Sequence, residues 1–243
     1  MEENVQIPYD VIKLPSDGLL YPNQQKSVKV EYLTAMDDSI LTSANLASQG
    51  LTFDVLLERK IKNLEFHPLD LLRGDRLSIL IWLRSTGYGA DYPIRVYSPK
   101  EDKFVDVVFD LTTLTTKTIG AKPDETGEFD MVLPISKKHV KFKLLTGKDE
   151  KEISRKDEEW VRRGNESDRG RFMLEQQIVE VDGERDIVKR IQGIQRLPLK
   201  DSIEFKKYAA SIEPGIDFNI TVETPGGESI KTFLSIRPDF FLL

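Results

Sequence analysis

Gly215-Ile216-Asp217-Phe218-Asn219-Ile220-Thr221-Val222-Glu223-Thr224-Pro225 decides the reading of this chain, because a related stretch precedes it: Gly89-Ala90-Asp91-Tyr92-Pro93-Ile94-Arg95-Val96-Tyr97-Ser98-Pro99. Gly, Asp, an aromatic, Ile, Val and Pro recur in register, 126 residues apart. Alternation of Tyr92, Ile94 and Val96, and of Phe218, Ile220 and Val222, predicts a half-buried strand in each copy. The prolines mark the exit into a turn, since proline cannot donate to a sheet ladder. An apolar helical run opened by Asp75 or Asp201 precedes each copy. Further back, Val28, Val30, Leu33, Thr34 and Asp37 match Val140, Phe142, Leu145, Thr146 and Asp149, 112 residues on. Both are alternating strands that run into Leu-Thr-x-x-Asp, where threonine or aspartate caps a following helix. The expected fold is α+β. Two diverged repeats, spanning 28–111 and 140–236, each hold helices plus an antiparallel β-hairpin, behind an extended N-terminal strap. Domain boundaries fall at 1–27, 28–135 and 136–243.

The chain has 243 residues, 39% hydrophobic and 31% charged, enough for one large domain or two ordinary ones. A net charge of −6 argues against a dedicated nucleic-acid binder, which needs a basic footprint to displace counterions. Without cysteine, disulfides and thiolate metal ligands are impossible. No apolar run approaches the roughly 18 residues that span a bilayer. Glu2 and Glu3 oppose a signal peptide's basic start, so a soluble, cytoplasmically made protein is expected.

Residues 4–27 read as extended, with Pro8, Pro15 and Pro22 excluding helix at the positions before them. A short helix over 39–48 ends at Gly50, and a second from Thr52 to Leu64 is broken by His67-Pro68. The run from Asp75 to Arg84 has no polar face and is expected to be the central helix. From Gly147 to Arg171 eight basic and eight acidic side chains interleave, with Trp160 and Val161 the main apolar interruptions. A solvated helix pair broken near Gly164-Asn165 explains this insertion; a partner-binding arm carrying Trp160 is its functional alternative. Phe172 to Val181 reads as an apolar helix. The chain closes on Phe240-Phe241-Leu242-Leu243, four large apolar side chains whose burial is worth roughly 1.5–3 kcal/mol each. They either seal the protein's own core or plug a partner. Trp160, Phe240, Phe241, Leu242 and Leu243 are therefore the candidate interface.

No catalytic constellation stands out. His67 and His139 are the only histidines and have no carboxylates at metal-site spacing. Gly147-Lys148 lacks the glycine and Ser/Thr of a phosphate loop. Gly87-Tyr88-Gly89 follows a helix and precedes a strand, the reverse of a dinucleotide fingerprint. No enzyme, metal or cofactor is expected. Lys137, Lys138, Lys141 and Lys143 form a basic strip that would serve nucleic acid, although the polar face of a strand accounts for them more cheaply.

With these residues laid out, the chain resembles the baseplate hub subunit and hub assembly chaperone family of T4-like contractile-tailed phages. The resemblance runs from about Val11 to the C-terminus. It is carried by Leu14-Pro15-Ser16-Asp17-Gly18, Tyr21-Pro22, Leu33-Thr34-Ala35-Met36-Asp37 and Gly74-Asp75-Arg76. Arg84-Ser85-Thr86-Gly87-Tyr88-Gly89, Leu145-Thr146-Gly147-Lys148-Asp149 and Val181-Asp182-Gly183 continue it. Leu197-Pro198-Leu199-Lys200-Asp201-Ser202, Glu213-Pro214-Gly215-Ile216-Asp217 and Phe240-Phe241 complete the order. Many members of that family carry Cys-x-x-Cys pairs where the strand turns back; here those positions read Tyr97-Ser98-Pro99-Lys100 and Glu223-Thr224-Pro225-Gly226-Gly227. The resemblance implies a non-enzymatic protein of tail morphogenesis, acting in the host cytoplasm during assembly or retained in the virion baseplate. Its implied contacts are hub, spike or tape-measure proteins.

Overall fold

Residues 7–236 and 238–241 are described by the computed structural model, a mixed α/β chain with several small antiparallel sheets. The extended N-terminal segment enters the first sheet: β1 (Tyr9–Lys13) pairs with β2 (Ser27–Glu31), whose Val28 and Val30 face the core. Between them Leu14 and Tyr21 are buried. After β2, Thr34 and Asp37 form a reciprocal capping box, the Thr34 N–H donating to the Asp37 carboxylate at 2.7 Å. The expected helix over 39–48 divides into α1 (Asp38–Leu41) and α2 (Ala44–Ser48), because Ser43 takes an extended conformation and caps α2. Helix α3 (Thr52–Lys60) stops short of the expected Leu64. Ile61 and Lys62 form β3, which completes the sheet beside β2. Lys60 ends α3 fully buried, its ammonium 2.5 Å from Asp37.

Helix α4 (Arg73–Tyr88) buries Ile79, Leu80, Ile81 and Leu83, as its lack of a polar face predicts. Its third residue, Asp75, is also buried and accepts from the Ser16 backbone N–H (3.0 Å) and hydroxyl (2.6 Å) and from Tyr21. The helix thereby locks the Leu14-Pro15-Ser16 turn. The first hairpin follows as β4 (Asp91–Ser98) and β5 (Lys103–Asp110), eight residue pairs in unbroken register. A two-residue strand, β6 (Thr116–Lys117), leads out of it.

The second sheet takes β7 (Phe129–Val132) and β8 (His139–Phe142), with Phe129, Val140 and Phe142 buried. Thr146 and Asp149 repeat the capping box at the start of α5 (Gly147–Arg162), and α6 (Arg169–Gln177) folds back along it. The helix expected from Phe172 to Val181 ends at Gln177. Ile178–Val181 is instead a strand, β9, which pairs with β8 through β-branched residues suited to a pleated surface. Helices α7 (Ile187–Gln195) and α8 (Leu199–Ile212) follow. The third residue of α8, Asp201, is buried and accepts from the Ile135 and Ser136 N–H groups at 2.7 and 2.9 Å, holding the Leu133-Pro134 turn.

The chain then crosses back. Strand β10 (Gly215–Ile216) pairs with β6 and presses its backbone on α4, where Gly74 meets Pro214 with no room for a side chain. The second hairpin, β11 (Asn219–Glu223) and β12 (Ser229–Phe233), packs against the first, β11 beside β5 and β12 beside β4. Their tips are joined by the Ser98 hydroxyl donating to Glu228 at 2.6 Å and the Lys100 ammonium donating to the Gly226 carbonyl at 3.3 Å.

Candidate functional site

Of the residues named from sequence, Phe240 and Phe241 turn inward and Trp160 is half-buried. Trp160 lies half-buried near the end of α5, under the Arg171 guanidinium at 4.4 Å and edge-on to Phe172 at 6.4 Å. With Leu145, Ile153 and Phe172 it forms a small satellite core. Its indole closes the helical hairpin, and Gly164, with φ of 87°, makes the turn between the helices. Phe240 and Phe241 are 0% and 2% exposed. Phe240 packs on Tyr92 at 5.0 Å and Phe241 on Phe53 at 5.9 Å. The buried Arg84 donates from Nε to the Phe240 carbonyl at 3.0 Å and from Nη1 to the Gly89 carbonyl at 2.8 Å. Phe240 and Phe241 are thus packing residues rather than an exposed interface; Leu242 and Leu243 lie outside the described residues.

Sequence spacing gave no sign of a cleft of about 500 Å3 where α4, α5 and the turn after α2 meet. The starts of α4 and α5 satisfy each other there: the Arg73 N–H donates to the Leu145 carbonyl (2.9 Å) and the Gly147 N–H to the Leu71 carbonyl (3.1 Å). This places Arg73, Arg76 and Glu150 side by side. Arg73 grips Glu213 with both arms of its guanidinium, the Nε contact at 3.0 Å. Burial works against its charge, yet Glu213 holds it above the usual arginine range. Arg76 pairs with Asp54 and donates to the Pro68 carbonyl at 3.1 Å. Burial pushes the Glu150 carboxyl up, against the pull of Arg73, Arg76 and Arg169. Lys151, Arg155 and Arg169 stand exposed at the rim. Chemically, the cleft offers charged donors above an apolar floor, the means to hold a ligand with both kinds of group.

Elsewhere, the outer face of the first hairpin exposes Tyr97, Phe104 and Val108 at 44%, 60% and 67%. The lysine strip is largely matched by carboxylates: Lys141 by Asp124 (2.8 Å), Lys143 by Asp149 (2.6 Å) and Lys138 by Asp182 (3.8 Å). His67 caps a short turn by accepting from the Leu69 N–H, and His139 faces Asp130 at 3.0 Å. Among the described residues no group of three His, Asp or Glu is placed to hold a metal, and no helix is long and apolar enough to cross a membrane. Compared with known proteins, the chain matches no family model, no curated protein and no solved structure.

Proposed function

We propose that this chain is a non-enzymatic protein of phage tail morphogenesis, assisting assembly of the baseplate hub through protein contacts in the host cytoplasm. A stoichiometric subunit of the virion hub is the alternative within the same reading. The order of the sequence motifs carries the assignment to phage tails. The observation that favours protein contact lies on the outer face of the first hairpin, where Tyr97, Phe104 and Val108 are exposed beside the Arg95–Asp106 ion pair. Matching of the lysine strip by acidic neighbours weighs against nucleic acid as the partner.

The two halves read as diverged copies of one unit. In support, each has a three-stranded sheet whose third strand follows a helix directly. Each also has a Leu-Thr-x-x-Asp capping box, and a Leu-Pro turn held by the aspartate at the third position of a later helix. The N-terminal strand belongs with the first copy on this reading.

Affinity capture of the tagged chain from infected cells, with mass spectrometry of purified particles, tests the proposal. Hub, spike or tape-measure proteins should be captured, and the chain should be missing from particles or far below structural stoichiometry. Structural stoichiometry in particles would select the subunit alternative. Capture of none of these proteins by the folded chain would sink the phage-hub reading.

A further inference from the structure

We propose that the start of α8 docks on the capping-box turn at Thr34 of a second copy of this chain, repeating between molecules the bridge that joins the two halves within one. The proposal rests on the reading of the halves as diverged copies and is independent of the phage assignment. In the internal bridge Leu71-Leu72-Arg73, just ahead of Asp75, lies antiparallel to Leu145-Thr146-Gly147, at the second capping box. The Arg73 N–H donates to the Leu145 carbonyl and the Gly147 N–H to the Leu71 carbonyl. The same positions occur a second time at the surface. Leu197-Pro198-Leu199 stands just ahead of Asp201, and Leu33-Thr34-Ala35 at the first capping box. There the counterpart groups, the Leu199 and Ala35 N–H and the Leu33 and Leu197 carbonyls, have no hydrogen-bond partner among the described residues. Pro198, in the place of Leu72, is compatible with the bridge, because the Leu72 N–H takes no part in it and donates to the Tyr21 hydroxyl at 2.7 Å.

The side chains around the two bridges differ in the way an uncovered contact requires. Leu199, in the place of Arg73, and Met36, in the place of Lys148, are 77% and 70% exposed, the two highest values for a large apolar side chain among the described residues. Ile135, whose N–H bonds to Asp201, and Ile203, one turn along α8, are exposed as well and extend the patch around Leu199. Beside Met36 a depression of about 450 Å3, lined by Leu33, Ala35, Leu41, Gly87 and Tyr88, is open to receive the Leu199 side chain. Room for the methyl of Ala35 is also present. A methyl on Gly147 would come within 2.7 Å of the Arg76 guanidinium, but the residue in the place of Arg76 is the smaller Ser202. Lys200 stands in the place of Gly74, so the crossing by Pro214 has no counterpart, and the contact consists of the two hydrogen bonds and the apolar side chains about them. Both complementary faces lie on this one chain, which is why a second copy is the occupant. Unlike faces meet, so the contact is head-to-tail and each molecule carries one of each face.

Sedimentation equilibrium of the full-length chain between about 1 μM and 1 mM, the range of a weak contact, tests this. The average mass should rise with concentration. Leu199→Asp and Met36→Asp should each stay monomeric, because each removes one face from every molecule. Both side chains are at the surface, so the fold is expected to survive; circular dichroism checks it, and Leu199→Ser and Met36→Ser supply milder versions. An equimolar mixture of the two Asp variants should form a species of two chains and nothing larger, since each retains the face that the other lacks. Ala35→Pro removes one donated N–H at the first position of a turn, where proline is tolerated, and should weaken association roughly tenfold. A monomeric wild type, variants that still associate, or a mixture that stays monomeric would each overturn the proposal. So would hub capture lost in Leu199→Asp beside a monomeric wild type, which would give the face to another protein. The readings fail separately. Association restored by mixing but indifferent to Ala35→Pro would overturn the repeated bridge together with the equivalence of the copies on which it rests. A monomeric wild type would overturn the contact and leave that equivalence, and the phage assignment, standing.

Discussion

Asp75 is a carboxylate fully enclosed at the start of an apolar helix, held by Ser16 and Tyr21 with no basic partner among the described residues. Burial pushes its carboxyl above the ordinary range, and the three donors only partly oppose that. The sign of the pH effect follows. A group whose folded value is raised adds stability that is complete below its unfolded value, about 4, and is lost as pH rises through the folded value. Asp75→Asn removes the titration at this position alone. The stability of the wild type minus that of the variant should therefore fall as pH is raised from about 3, measured by urea unfolding at successive pH values. A flat or rising difference would mean that the donors keep the carboxylate charged. Asp75 was legible in the sequence as a helix opener. Its partner was not, because Ser16 lies 59 residues earlier and reaches it only through the fold.

At the scale of elements, the legible parts were those with a local cause. The capping boxes at Thr34 and Thr146, the apolar α4 and the proline-ended hairpins each follow from residues within a few positions of one another. Strands β3 and β9 were not legible. Each is short and continues straight from a helix, so helical spacing of apolar residues runs on into it. What makes Ile61 and Ile178 extended is pairing with β2 and β8, a tertiary cause that overrides the local pattern. The α5–α6 hairpin shows the same contrast: its charge pattern announced exposed helices, but the packing of Trp160 between them comes from the turn at Gly164. Trp160→Ala should cost about 1–3 kcal/mol, less than a full core truncation because the ring is half-buried. The loss should be local. Hydrogen exchange should accelerate across residues 147–177 while the amides of α4 keep their protection. Uniform acceleration throughout would show that the satellite cluster is part of one cooperative core.

In the whole molecule the halves are joined where Pro214 crosses Gly74. A methyl group placed on Gly74 would come within 1.8 Å of the Pro214 carbonyl oxygen, a backbone atom that cannot swing aside. Gly74→Ala should therefore destabilise by about 3 kcal/mol in urea unfolding. Gly170→Ala is the control. It meets only the Lys206 ammonium at 3.6 Å and should change stability by no more than about 1 kcal/mol, in the stabilising direction. Equal effects would mean that the halves are not held at this crossing. The cleft beside it was invisible in the sequence for a physical reason: Asp54, Arg73, Glu150 and Glu213 come from four separated segments, and no spacing rule links them.

Helix α4 has a consequence for how the chain reaches this structure. Its side chains bond to Ser16, 59 residues behind, to Glu213, 140 ahead, and to the Phe240 carbonyl, 156 ahead. Contacts so distant must meet the entropy of closing long loops before they return any stability, and topologies dominated by them fold slowly. Helix α4, which buries Ile79, Leu80, Ile81 and Leu83, is thus among the last elements to be fully covered. During that delay its leucines and isoleucines are open to other chains, so the yield of native protein should depend on how crowded the solution is while it folds.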